Sequence, residues 1–428
     1  MSAPVHLLNA RLIDPGTDYD GPGAIRIEDG RIADVVRGAS PAVPGIDCGQ
    51  NVLAPGLVDM RVFVGEPGAR HRESFRSAGA SAAAGGVTTI IMQPDTDPSI
   101  DDPALVQFVR TRGREDAAVR VETMGALTRG LKGREMTEQQ FLLDAGAVAL
   151  TDADHPVADA RVMRACMTYS RSTDAVIVHH IQEPSLSRGA CATSGEFASR
   201  LGLPTVSAVA ERIMLERDLA LVESTGARYH ADQVTTAAAL APLERARDAG
   251  LPVTSSVSIH HLTLNEFDIA DYRTFFRLTP PLRAETDRTA IVDALSAGLI
   301  DTIVSGHLPQ DEETKRLPFE EAATGAVGLE TFLPAMLRLV HEARLDLLTL
   351  FRAGSLRPSQ ILGLDGGRLS VGAPADLVLL DPDAPFRLDR EKLRSRSKNT
   401  PFDRALMQGR ILGTWVAGER VFGGPDAP

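Results

Sequence analysis

Between residues 55 and 365 the chain repeats one pattern: a short apolar run without polar alternation, followed by a stretch of helical periodicity. The runs at 86–92, 147–150, 175–178, 251–254 and 301–304 read as strands, and those at 74–84, 104–112, 207–224 and 236–249 read as helices. A strand that is apolar on both faces must be covered on both faces, as in a parallel sheet flanked by helices. Repeated this often, the unit closes most naturally into a (β/α)8 barrel of about 250 residues. Aromatic residues make up only 4% of the chain, so the packing of such a barrel has to be aliphatic.

The two ends differ from this middle. Residues 24–28 alternate apolar and polar, Asp29-Gly30 is a two-residue hairpin signal, and 31–36 alternate again. The segment 368–381 and the stretch 413–422 have the same strand character. The expected organisation is α/β: a TIM-like barrel over residues 55–365, and a small β-sandwich formed jointly by residues 1–54 and 366–428.

A formal net charge of −12 argues against nucleic-acid or anionic-membrane partners, which select basic surfaces. No apolar run approaches the ~18 residues of a membrane span, and the N-terminus lacks the basic and apolar regions of a signal peptide. Cys48, Cys166 and Cys191 are odd in number and widely spaced, which fits a reducing, cytoplasmic setting rather than a disulfide framework. Gly85-Gly86 lacks the Lys and Ser of a phosphate loop and reads as a turn. The run Asp311-Glu312-Glu313 reads as a solvated loop.

Several strings stand at the ends of the expected barrel strands. They include Pro55-Gly56-Leu57-Val58-Asp59-Met60-Arg61-Val62-Phe63, Gln93-Pro94-Asp95-Thr96, Thr151-Asp152-Ala153-Asp154, and His179-His180-Ile181-Gln182-Glu183-Pro184. Further along are His230-Ala231-Asp232-Gln233, Gly306-His307-Leu308-Pro309-Gln310, Gly325-Ala326-Val327-Gly328-Leu329-Glu330-Thr331 and Ser397-Lys398-Asn399-Thr400-Pro401-Phe402. Together they resemble the cyclic amidohydrolases, and the dihydroorotase family most of all, over nearly the whole chain.

That resemblance implies an amidohydrolase barrel with zinc at its mouth, and it also locates the departures. Where the family reads PGLVDxHxH, two histidines on one strand face would bind zinc; here those positions are Arg61 and Phe63. A guanidinium has no acceptor lone pair and a phenyl ring has no ligand atom. The ligand His of the HxxH motif is Gln233, and the zinc-binding general acid/base of DHAPH is Gly306. Substrate-contacting positions are altered as well: Gly65 replaces Arg, Asp95 and Thr279 replace Asn, and Gln310 replaces His. His180 matches a surviving ligand. Asp152 matches one of the family's paired aspartates, and the sequence leaves open which.

Two ligands fall short of the three that a catalytic zinc requires. The expectation is therefore no bound cofactor and no catalytic residues. A site rebuilt from His155, His179, His230, His307, Asp154 or Asp232 is the alternative, and would make the chain an active dihydroorotase or other cyclic amidohydrolase. Arg61, a buried cation in need of a counter-charge, is expected to pair with Asp152 or Asp95 rather than to bind an anionic ligand. Asp59 is expected to be structural. The resemblance further implies an oligomeric, structural partner of aspartate carbamoyltransferase in pyrimidine biosynthesis, since non-catalytic chains of this family have that role.

Overall fold

The computed structural model describes residues 4–424. Its centre is a ring of eight parallel strands. In order these are Leu57–Val62, Val87–Met92, Arg120–Thr123 continued by Gly125–Ala126, Leu150–Thr151, Val176–His180, Arg228–Asp232, Val253–Ser258 and Thr302–Val304. The amide N–H groups of Met124 and Gly125 bond back to Met92 and Ala149 and carry the ring past a break in the third strand. Phe63 N–H donates to the His307 carbonyl at 2.9 Å and closes the eighth strand onto the first.

Helices return the chain between strands. Phe75–Ala84 starts at Ser74, whose hydroxyl accepts from Ser77 N–H in a capping box. Ala160–Thr173 starts at Asp159, whose carboxylate accepts from Arg161 and Val162 N–H. Pro103–Asp116, Val209–Thr225, Leu240–Asp248, Glu285–Ser296 and Phe332–His341 complete most of the outer layer. The barrel interior is filled by Met60, Ile91, Met124, Ala149, Val176, Val178 and Val304, with Ile361 and Leu362 beneath them. Only the ends of the strands therefore offer space for chemistry.

Eight strands outside the ring form a β-sandwich region built from one continuous sheet. It joins Val5–Asp14, Tyr19–Glu28, Arg31–Arg37, Ile46–Asp47 and Val52–Pro55 to Leu377–Arg387, Leu406–Val416 and Glu419–Phe422. Asp29 and Gly30 both have positive φ, at 48° and 77°, in the two-residue turn between Glu28 and Arg31, as a type I′ hairpin demands. Leu377–Arg387 explains how this region attaches to the barrel. Leu377 and Leu379 pack in the sandwich core with Leu12, Ile25 and Trp415. Val378 and Leu380, on the opposite face of the same strand, join the barrel's outer core. Residues 368–372, expected as strand, are irregular instead. Their backbone is used by local contacts such as Leu369 N–H to the Asp14 carboxylate at 3.0 Å.

Candidate functional site

Strand parity decides which side chains reach the barrel mouth. Val176 and Val178 point inward, so His180 does too, while His179 points outward. His179 there meets Asp218 of the helix Val209–Thr225, its Nδ1 2.7 Å from the carboxylate, and its Nε2 accepts from Val157 N–H at 2.9 Å. In the first strand the pairing register slips between Asp59 and Val62. Met60 enters the barrel interior, and both Arg61 and Phe63 line the mouth.

Arg61 dominates the site. Its Nη1 donates to Asp232 and its Nη2 to Asp154, both as salt bridges, with 8% of the residue exposed. With its amide oxygen turned toward the guanidinium, Gln233 accepts from Arg61 Nε at 3.0 Å and Nη2 at 3.2 Å. Ser256 Oγ donates to the second Asp232 oxygen at 3.0 Å. The expected partners of Arg61, Asp152 and Asp95, are thus corrected to Asp232 and Asp154. Asp152 is turned aside because Thr128 occupies it, donating its backbone N–H at 2.8 Å and its hydroxyl.

The other altered positions sit as follows. Phe63 is buried, with the Arg72 guanidinium 4.2 Å above its ring. Gly306 lies in the left-handed region at φ 61°, and an added Cβ would stand 3.1 Å from Ser258 Oγ. At Gly65 an added Cβ would fall 2.1 Å from the Ala69 carbonyl oxygen, so no larger residue fits the present backbone. Thr279 lines the mouth cavity. Gln310 turns away from it, its backbone N–H bonding Asn399 Oδ1 at 3.1 Å and its amide N–H bonding the Thr324 carbonyl at 2.5 Å.

Of the residues that could have rebuilt a site, Asp154 and His307 line the mouth cavity and Asp232 anchors Arg61 there. His307 is engaged, its Nε2 3.2 Å from Glu73 and its Nδ1 accepting from Gly328 N–H at 3.1 Å. His230 bonds Thr254 at 2.8 Å and His155 lies against the Asp152 carbonyl at 3.3 Å. Asp59 accepts from Arg61 N–H at 3.2 Å and Ser305 N–H at 3.1 Å. Gln93, His260, His261 and Leu278 complete much of the wall and are not among the site residues expected from the sequence. Gln93 could have been found, because it shares the inward parity of Ile91 at the end of the second strand.

Burial shapes the electrostatics. Desolvation pushes the Asp95 carboxyl up to about 6, with Asp154 adding to the effect and Arg61 opposing it. Burial takes His180 down to about 4, against the pull of Asp154. His260 falls to about 4 and His261 to about 3 for the same reason. Neutral imidazoles can bind metal, but His180 Nδ1 is 3.9 Å from Asp154, which itself is committed to Arg61.

This donor set does not fit a hydrolytic zinc. A permanent cation sits among the carboxylates, and among the described residues no three His, Cys, Asp or Glu side chains are grouped as a metal ion requires. The mouth cavity is correspondingly small, about 30 Å³, room for one or two water-sized groups.

The chain is similar to known proteins along its whole length. A family profile described as dihydro-orotase-like matches residues 50–238. The dihydroorotase of Desulfotalea psychrophila is 39% identical over 416 residues, covering 97% of this chain and 99% of that protein. The dihydroorotase of Ehrlichia canis is 35% identical over 425 residues, covering 98% and 95%. Among solved structures, an L-hydantoinase (dihydropyrimidinase) from Arthrobacter aurescens superposes with a TM-score of 0.89 at 25% identity, covering 99% of this chain and 97% of that one. A dihydropyrimidinase from Brevibacillus agri gives 0.82 at 17% identity, covering 98% and 95%, and supports the fold alone.

Proposed function

Because the chain belongs to the dihydroorotase family, we propose that it is a non-hydrolytic member which serves pyrimidine biosynthesis as a structural partner of aspartate carbamoyltransferase. The observation that carries this reading is the Arg61 clamp. Asp154, Asp232 and Gln233 each give an acceptor to one guanidinium, and Arg61 and Gln233 themselves stand at positions where the family would place zinc ligands. Hydrolysis of a cyclic amide needs a water activated toward a pKa of about 7 and an acid for the leaving nitrogen. Gly306 has no proton to give, and Asp152 is bonded into the Thr128 loop.

The partner is inferred from the resemblance: a barrel kept whole while its chemistry is dismantled has a reason to persist as architecture. Co-expression of the two proteins followed by size-exclusion chromatography tests it. Co-elution in a fixed ratio is expected, and two independent peaks at micromolar concentration would overturn the partnership.

The other reading is an active dihydroorotase or other cyclic amidohydrolase with a rearranged site, favoured by relatives 35–39% identical that carry the name dihydroorotase. Elemental analysis of purified protein separates the two. Less than stoichiometric zinc and no dihydroorotate turnover support the structural role; firmly held zinc with turnover overturns it.

A further inference from the structure

The mouth carries more negative than positive charge. Asp95, Asp154 and Asp232 surround Arg61. Arg72, the next cation outward, directs its N–H groups to the Pro309 carbonyl at 2.7 and 2.9 Å. Even counting Arg72, three carboxylates face two guanidinium groups. Arg61 gives side-chain hydrogen bonds to Asp154 and Asp232, and none to Asp95.

A second observation is independent of charge. Gln93 is 4% exposed and lines the mouth cavity; its amide nitrogen donates to the Met60 carbonyl at 3.1 Å, while its Oε1 has no donor. Asp95 Oδ1 is also buried without a donor, and it borders the same cavity. A buried acceptor left without a donor is destabilising, so two lining one cavity favour a group rich in N–H. Beside it a cavity of about 220 Å³ shares Asp154 and Thr279, is walled by Pro280 and Pro281, and contains Gln182, whose Oε1 also lacks a donor.

We propose that the barrel mouth binds a small aliphatic primary amine, its ammonium group held by Asp95 and Gln93 and its carbon chain running past Thr279 along Pro280 and Pro281. The small inner cavity matches an ammonium head, and its three N–H donors match the unmet acceptors. The outer cavity takes the carbon chain, and Arg188 in its lining disfavours a second ammonium there. An anionic ligand is disfavoured by the excess carboxylate, which reverses the charge preference expected of a site for dihydroorotate. The inference rests on the preceding reading in one respect, that no hydrolytic metal holds the mouth.

Isothermal titration of the full-length protein with methylammonium and with butylammonium tests it, alongside succinate and dihydroorotate at equal ionic strength. Saturable binding of the amines is expected, tighter for butylammonium, whose chain Pro280 and Pro281 can cover. Asp95→Asn should weaken it by about tenfold or more, the loss of one charge-assisted hydrogen bond. Gln93→Met, which removes the second acceptor without touching the Arg61 clamp, should weaken it as well. No amine binding to the wild-type protein, undiminished wild-type affinity in both variants, or saturable binding of the anions instead would overturn the proposal. A zinc titration in parallel separates the two readings. Tight zinc binding that excludes amines sinks this site and the structural role together, whereas absence of both zinc and amine binding sinks only this site.

Discussion

Arg61 and Asp232 stand 171 residues apart in the chain and are joined across the barrel by a buried guanidinium–carboxylate bond. The bond ties the end of the first barrel strand to the end of the sixth, and Asp154 extends it to the loop after the fourth. Arg61→Ala would leave both carboxylates without their counter-charge. Breaking one side of a buried pair costs about 3–5 kcal/mol, so the urea midpoint should fall clearly. Asp154→Asn with Asp232→Asn, added to Arg61→Ala, should recover part of the loss, since no buried charge is then left uncompensated. An Arg61→Ala midpoint equal to wild type would show that the clamp does not hold the barrel mouth together.

Gly306 supplies a second prediction. Its φ of 61° is a left-handed conformation, which costs a residue with a Cβ about 1–2 kcal/mol. The added carbon would also stand 3.1 Å from Ser258 Oγ and 3.5 Å from His260 Nδ1. Gly306→Ala should therefore lower stability by about 1–2 kcal/mol, and Gly306→Asp should lose at least as much. Restoring the family's acid at this one position should give no dihydroorotate turnover. Thermal unfolding and a turnover assay read both effects.

Much of this was legible in the sequence, for reasons that differ by element. Doubly apolar runs such as 87–92 announce buried parallel strands because both of their faces lie under cover. Asp29-Gly30 announces a hairpin because its backbone requires positive φ. The short strand Leu150–Thr151 lies later than the expected 147–150, because Ala147 and Ala149 are buried by neighbouring elements irrespective of strand pairing. At the mouth, the composition of the altered positions could be read, but the partner of Arg61 could not. Asp95, Asp152, Asp154 and Asp232 are equivalent as charges, and the choice among them is tertiary. Thr128, which belongs to no recognisable motif, takes Asp152 away. The loop positions of Gln233 and Asp154 bring their acceptors to the guanidinium instead.

Glu73 makes a comparable knot beside the mouth. It is fully buried, accepts from the Ser77 and Ser395 hydroxyls and from Arg396 N–H at 3.3 Å, and lies 3.2 Å from His307 Nε2. Despite its burial, these bonds, His307 foremost, hold its carboxyl below the usual carboxylate range. Glu73→Gln would set an amide N–H against groups that are already donors. A loss of at least about 2 kcal/mol is expected, with faster amide hydrogen exchange across residues 393–399, the segment this residue pins. Unchanged exchange there would mean that the C-terminal segment is held by its other contacts.

Asp95 gives the mouth a definite pH signature. Its carboxyl is raised from 3.8 to about 6, chiefly by burial. A raised acid contributes its full stability below its unfolded value and loses it as pH rises through its folded value. This group should thus weaken the fold progressively between about pH 4 and pH 6. His180, His260 and His261 work in the opposite sense. Burial lowers them to about 4, 4 and 3, so their contribution is complete above 6.5 and is lost as pH falls. The two effects overlap in a single pH titration of stability, but a difference between proteins separates them. In Asp95→Asn the histidines still titrate and the carboxyl does not. Subtracting wild-type from Asp95→Asn stability, measured by urea unfolding at half-unit steps, should give a difference that grows in favour of the variant from pH 4 to pH 6 and then levels. A flat difference would mean that Asp95 is solvated enough to keep an ordinary carboxyl, and a difference of the opposite slope would mean that Arg61 holds it charged.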